Sequence, residues 1–565
     1  AEDTEPCYLP DNRIAFTSSR NNRLVQCGDW ALVNGIFSVK TDGSDLYKIT
    51  EPQDGEFYPS LLEDGRILYT RWDYVMKPFN TQQQLWAVNP DGRRAELAYG
   101  DYYTFSAGPI ALFEARQNPA TAKVIATGAA HHNTCAGPIK IVDMNQNRGG
   151  PGGMKKITPE VHYPEVRGET GGSGKKSTTG WFRSPYPLGE NHFLVTYSFG
   201  PDNVSNYGIY LMDIHGNKEL IYQTNSKFSC YAPIPLRPRK TPPVIPNLVK
   251  NVDPGKPATI MVNDIYQGLL REGVNRGEVK HLRIIEVATK TQHTLPRRCD
   301  VGVNSGWDIR KVLGTVPIEN DGSAHFQLPP HKLILFEALD KDYLEIKRMR
   351  NYINVKPGES VSCIGCHEPY GMAPPARKQP PLASLRPPSP ITPPSWGIRG
   401  MSFKHIIQPL LDNHCIACHD GSAGTDKSFD LHGSTMVVAP KGHNADEGPQ
   451  HAVSQSFLNL INYVNYTQVG GYGHHDPKVL VPSRAKTTGS HASSLMKTLK
   501  AGHYNVQLPR ADWRALAAWI DCNAPYYGDF QEIITIKDLP APSAKITANI
   551  PQRSFAVADL RRNEA

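Results

Sequence analysis

The N-terminal half of the chain repeats one pattern, and that repetition limits the folds open to it more than any other feature. Short β-type runs recur as "RIAFTS" (13–18), "RILYTR" (66–71), "KVIATG" (123–128), "HFLVTY" (192–197) and "TIMVND" (259–264). After a variable loop each is followed by a second run: "GIFSVKTDGS", "QLWAVNPDGR", "PIKIVDMNQN", "GIYLMDIHGN" and "LRIIEVATKT". The two clearest copies follow "LPDN" and "LEDG" turns and carry Asp-Gly in "TDGS" and "PDGR", a pair suited to tight hairpins. Strand pairs recurring every ~50 to 70 residues predict the blades of a β-propeller with loop insertions. Six or seven blades are expected, one of them mixing strands from both chain ends. An irregular β-sandwich is the alternative reading of the same runs.

At 565 residues the chain exceeds what one core organises, so several domains are expected. No stretch of apolar residues is long enough to span a bilayer, and the mean hydropathy is −0.44. The net charge of +7 comes from 61 basic and 54 acidic residues without a Lys/Arg block. Nucleic acid is therefore not an expected partner, while an anionic protein or small anion is mildly favoured. The first residues, "AEDTEPC", read as the product of signal-peptide cleavage, and export to the periplasm or an equivalent compartment is expected. Of ten cysteines, Cys7 and Cys27 flank a short strand and are the expected disulfide pair in an oxidising compartment.

The expected divisions are a propeller over 1–296, a small β middle module over 297–375, a linker over 376–400, a helical domain over 401–530 and an arm over 531–565. The middle module rests on "VLGTVPIENDGSAHF" and the alternating runs after it, and residues 371–400 hold nine prolines, too many for a packed core. In the helical domain Phe403, Ile407, Leu410 and Leu411 fall at helical spacing, as do Trp513, Leu516, Ala517 and Ile520. The first helix leads into a C-x-x-C-H motif, an arrangement typical of an α-helical cytochrome c domain.

Two such motifs exist: Cys363, Cys366 and His367 in "SCIGCHEPYG", and Cys415, Cys418 and His419 in "HCIACHD". The spacing suits covalent attachment of a c-type haem, two thiols meeting two vinyl groups and the histidine taking the iron. A zinc ribbon built from the four thiols is the alternative. The histidine following each pair, and the separation of the pairs into different modules, favour two haems. For the second haem, Met436, Met496, His443, His474, His475, His491 and His503 are available as sixth ligand. His503 is preferred because "KAGHYNVQLP" places it in a loop between helices, whereas Met496 fits a helix core. Beside the first motif stands Tyr370, either a packed aromatic or a catalase-type iron ligand. In "ATGAAHHNTCAG", His131 and His132 follow a strand and are candidates to line a pocket or hold a metal.

These segments together resemble the hydrazine synthase alpha subunit and its wider family of propeller proteins carrying c-type haems. The resemblance runs over nearly the whole chain, through the blades, "ATGAAHHNTCAG", "CYAPIPLRPR", "SCIGCHEPYGMAPP" and "AWIDCNAPYYG". It implies a propeller, a middle domain with one haem and a C-terminal domain with a bis-histidine haem, in that order. It further implies Tyr370 as ligand of the first iron, His367 turned to a zinc ion, and Cys230 bonded to the first porphyrin. Zinc, to which His132 is a second candidate ligand, and calcium join the expected cofactors. The implied activity is a haem-dependent oxidoreductase acting on a small nitrogen compound such as hydroxylamine, ammonia or nitric oxide. Tyr370 and His131 stand at the reacting site, and a redox protein and further subunits are the implied partners. The competing readings are a dihaem electron carrier that docks through its propeller, and a binding protein with structural haems.

Overall fold

The computed structural model describes residues 1–26, 31–74, 83–100, 111–130, 135–146, 151–164, 179–199, 206–225, 228–291, 301–302, 308–366, 376–422, 429–438, 452–465 and 483–533. The chain is mainly β, with several antiparallel sheets and few helices.

The first four repeats become four antiparallel meanders of four strands each. They are β1–β4 (Asp3–Tyr8, Arg13–Ser18, Gly35–Lys40, Tyr47–Lys48), β5–β8 (Gly55–Leu61, Ile67–Trp72, Gln84–Val88, Glu96–Tyr99), β9–β12 (Ala111–Gln117, Lys123–Ala129, Ile139–Asp143, Met154–Lys156) and β13–β16 (Trp181–Pro187, His192–Ser198, Gly208–Asp213, Lys218–Tyr222). The first strands of successive sheets pack against one another in turn, as blades do around an axis. Each first strand bulges at one residue with positive φ: Glu5 (58°), Tyr58 (56°), Glu114 (56°) and Ser184 (51°). A threonine stands at the same place in every second strand, and those of the first, third and fourth sheets bond to the bulge of their own sheet. Thr17 Oγ1 donates to Glu5 at 2.6 Å and Thr127 Oγ1 to Glu114 at 3.0 Å. Thr70 donates to the Leu112 carbonyl and Thr196 to that of Arg183. Glu5 and Glu114 then accept the amides of Tyr58 and Ser184, linking each blade to the next.

The fifth pair of runs departs from the expectation. "TIMVND" forms β17 (Ala258–Val262), between β20 (Ala324–Leu328) and β23 (Ser360–Cys363), while the second run forms β18 (His281–Val287) in a sheet of order β19-β18-β21-β22. Strands β19 (Arg310–Pro317), β21 (Ile334–Leu339) and β22 (Glu345–Arg348) complete that sheet. The expected boundary at 296 therefore falls between two hydrogen-bonded strands, β18 and β19, and the middle module draws in residues from 258 onward. The fifth run has Asn263 where the other four have threonine, so it lacks the hydroxyl that secures a bulge. Between the fourth sheet and β17 an exposed strap crosses back over the blades. Arg237 donates to the Leu188 carbonyl, Leu248 N to Asp91, and Lys250 pairs with Asp45.

The β19-β18-β21-β22 sheet is covered on both faces, and period-two alternation sorts its side chains. Leu282 and Ile284 face the β20-β17-β23 sheet, whereas Ile285 and Val287 face the C-terminal helices. Those helices are α1 (Gln408–His414), α2 (Gln455–Ile461), α3 (Ser494–Ala501) and α4 (Arg510–Asp521). Phe403, Phe457, Trp519 and Tyr526 interlock at their centre. Across the junction, buried Arg283 donates to both Glu337 and Asp521 at 2.7 Å. At the other end of the module Tyr352 stacks on Arg71 of the second blade, whose guanidinium also lies over Trp86.

Candidate functional site

The second motif begins where α1 ends. Cys415 caps the helix, and the amides of Cys418 and His419 both return to the Cys415 carbonyl, at 3.2 and 3.0 Å. One tight turn thus gathers two sulfurs and an imidazole. Opposite, α3 stops at Gly502, whose φ of 96° suits glycine, and His503 follows. The His503 amide region is closed by a bond from Val506 N to the His503 carbonyl at 2.8 Å. The outcome is two nearly parallel imidazoles, His419 and His503, with ring centres 5.9 Å apart and planes inclined by 7°. Two metal–nitrogen bonds of about 2 Å plus two ring half-widths of about 1 Å sum to about 6 Å, so the pair fits a single metal held axially between them. Burial, and then the neighbouring His503, lower the pKa of His419, which keeps its lone pair free for a metal.

Of the other proposed ligands, His491 is half-buried in the short helix Gly489–Ala492, and the two methionines are engaged elsewhere. Met496 is 1% exposed in the core, and Met436 Sδ accepts from the Tyr526 hydroxyl at 3.7 Å. His443, His474 and His475 lie outside the described residues. Residues that sequence reasoning missed complete the surroundings: Phe429 stands edge-on to His419 at 4.8 Å, Tyr463 to Phe429 at 5.4 Å, and Tyr504 to His503 at 5.0 Å. Only their aromatic character signalled them, since their distance along the chain follows no motif.

The first motif sits on sheet rather than helix. Cys363 ends β23, parallel to β17, and Asn263 holds it twice, by N–H and by Nδ2 to the Cys363 carbonyl. Asp264 N donates to the Ile364 carbonyl and Cys366 N to that of Gln267. A Cβ on Gly365 would come within 2.5 Å of Gln267 Cβ and 2.6 Å of the Asp264 carbonyl, so only glycine fits between these cysteines. Asp264 is itself fixed by Arg276 at 2.6 Å. A cavity of about 430 Å³ opens beside Ile364, bounded by Asn263, Asp264 and residues 377–381. Both thiols are half-buried. His367 and Tyr370 lie outside the described residues, as do His131 and His132. Cys230 is half-buried, its amide donating to the Tyr207 carbonyl at 2.8 Å. Cys7 carries a free thiol whose sulfur lies 3.7 Å from the Tyr8 carbonyl, and its expected partner Cys27 lies outside the described residues.

Bladed sheets, a two-sheet module ending in a paired-cysteine loop and a helical unit with facing imidazoles define a multidomain β protein whose sites lie beyond its blades. Residues 277–368 match the family described as the hydrazine synthase alpha subunit middle domain. The structure of Kuenenia stuttgartiensis hydrazine synthase is similar over 91% of this chain and 77% of that one, with a TM-score of 0.66 at 16% identity. The chain is thus similar to the hydrazine synthase alpha subunit in its middle domain, and at this identity the wider structural likeness is one of fold. TolB from Acinetobacter baumannii, 17% identical over 40% of this chain and 45% of that one, reaches a TM-score of only 0.25, too low to bear on the argument. No curated protein matches the sequence.

Proposed function

We propose that the chain is an exported two-haem oxidoreductase of the hydrazine synthase type, with one centre for chemistry and one for electron transfer. The observation that carries this reading is the parallel His419–His503 pair beside Cys415 and Cys418. In it, Cys415 and Cys418 would hold the second porphyrin, and His419 and His503 would both hold its iron. A centre so filled exchanges electrons without binding substrate. The helical unit is then a cytochrome c domain.

Cys363 and Cys366 bind the first porphyrin, held in register by Asn263 and the close-packed Gly365. When bound there, the haem supplies redox chemistry and a site for a small ligand. Tyr370 holds that iron, a phenolate lowering its potential, while Cys230 makes a further bond to the macrocycle. His367 and His132 hold zinc, calcium is a further ion of the assembly, and His131 lines the pocket. The substrate is a small nitrogen compound of the hydroxylamine, ammonia or nitric oxide class. Hydrazine synthase is the protein that the middle domain and fold resemble, and the substrate class follows from that name. A redox protein and further subunits are the proposed partners, and the periplasm or its equivalent the proposed compartment.

Acid–acetone extraction of the mature protein, followed by addition of nitric oxide, tests the reading. Two haems remaining on the chain, of which one binds nitric oxide, are expected. Fewer than two, or two that both refuse the ligand, would overturn it.

A further inference from the structure

The turn that presents His503 has an unusual surface. Tyr504 is 88% exposed, stands edge-on to the His503 ring at 5.0 Å, and holds a φ of 44° that a bulky residue rarely adopts. No aspartate or glutamate occurs between Asp476 and Asp512, a span that contains Lys497, Lys500 and Arg510, all exposed. Of the carboxylates on neighbouring elements, Asp342 and Asp512 are engaged by basic groups, while Asp420, next to His419, accepts from Ser422. Asp342 is shared by Lys341 at 3.0 Å and Lys500 at 2.5 Å, and Asp512 meets His414 at 2.9 Å. Arg514 lies over the Tyr343 ring at 3.6 Å on the same side. The local field is felt by His281, which burial, with Arg514, Arg510 and Lys280 adding to it, pushes down to about 4. Lys497, Lys500 and Arg510 thus stand exposed on the segments flanking an exposed aromatic that touches the outer imidazole.

We infer that the Tyr504 turn, with its collar of Lys497, Lys500 and Arg510, is the docking surface for an acidic one-electron carrier protein. Tyr504 supplies the apolar contact at the centre and the cations supply a charged rim, the division of labour seen in steered, short-lived complexes. One electron passes between the carrier's redox centre and the iron between His419 and His503. One is oxidised as the other is reduced, and no bond or proton is exchanged. The inference rests on the bis-imidazole reading above and adds the chemistry of the partner.

The test follows the low-spin haem band of the full-length holoprotein by stopped flow. Reduced protein is mixed with hexacyanoferrate(III), an anion, or with tris(phenanthroline)cobalt(III), a cation. Plastocyanin serves as an acidic carrier protein and mitochondrial cytochrome c as a basic one. The anion's rate should fall about tenfold between ~10 and ~300 mM ionic strength, while the cation's rate rises. Plastocyanin should exceed cytochrome c at low salt. Lys497→Glu with Arg510→Glu should flatten or reverse both dependences. Tyr504→Asn, which suits the same positive φ, should slow plastocyanin several-fold and leave the spectrum and reduction potential in place. Salt dependences of the opposite sign, or a Tyr504→Asn protein as fast as the wild type, would overturn the docking surface. Absence of a low-spin band would instead strike the bis-imidazole reading itself.

Discussion

The two C-x-x-C motifs are nearly identical as sequence and stand in opposite surroundings. Cys415 and Cys418 close the end of a helix, and an imidazole from 84 residues further on stands parallel to His419. Cys363 ends a strand and Cys366 follows it, clasped by backbone and amide bonds from Asn263, Asp264 and Gln267, beside a cavity. On the proposed reading a motif specifies attachment, while the element that delivers it decides which side chains can approach the bound group. The helix end faces a loop that can bring a second histidine. The strand end leads, further along the sequence, to the proline-rich run of residues 376–394.

The largest expected effect comes from removing attachment. Cys415→Ala with Cys418→Ala should leave one covalent haem of two and abolish the low-spin spectrum, and the same change at Cys363 and Cys366 should abolish nitric oxide binding. Loss of both haems from either double variant would show the centres to be one assembly.

His503→Ala should convert the C-terminal haem from low to high spin and leave nitric oxide binding at the other centre intact. Met496→Ala is the matched control: a fully buried side chain removed at a cost of about 2–5 kcal/mol in stability, with no change of spin. A spin change in the methionine variant would exchange the two roles. Tyr370→Phe should alter the high-spin signal and ligand binding of the first haem alone; an unchanged spectrum would hand the iron to His367.

Gly365→Ala should cost about 1–3 kcal/mol by forcing Gln267 and the Asp264 carbonyl apart, and should lower haem content at the first site only. Equal loss at both sites, read from their distinct bands, would remove the contrast drawn here.

The smallest effect lies away from both centres. Burial pushes Glu56 up to about 7, against the opposing charge of Arg71 and the hydroxyl of Thr50. Its folded pKa exceeds the unfolded one, so its contribution is complete below about 4.5 and is lost as pH rises through about 7. Glu56→Gln should therefore raise stability at pH 8 by up to about 3 kcal/mol, flatten the melting profile between pH 5 and 8, and leave both haem spectra unchanged. A variant with the wild-type pH profile would place the titration elsewhere.

Much of this was legible in residues. The four blade-like sheets follow the runs that end in Thr17, Thr70, Thr127 and Thr196, and the fifth run announced its difference by Asn263. The β18–β19 pairing was hidden because adjacent strands of a hairpin need not share a visible turn signal. His503 stood out by its loop, but Phe429, Tyr463 and Tyr504 meet the imidazoles through tertiary packing that no local pattern encodes. The bulges at Glu5, Tyr58, Glu114 and Ser184 were equally silent, since a bulge depends on the neighbouring strand.

The claim on which the comparison stands is that His419 and His503 fill both faces of one iron while the other iron keeps a face open. The paramagnetic resonance spectrum of the oxidised full-length protein tests it directly. The account predicts one low-spin signal typical of paired imidazoles together with one high-spin signal, and only the first should disappear in His503→Ala. Two low-spin signals in the wild type, or a low-spin signal that survives the loss of His503, would contradict it.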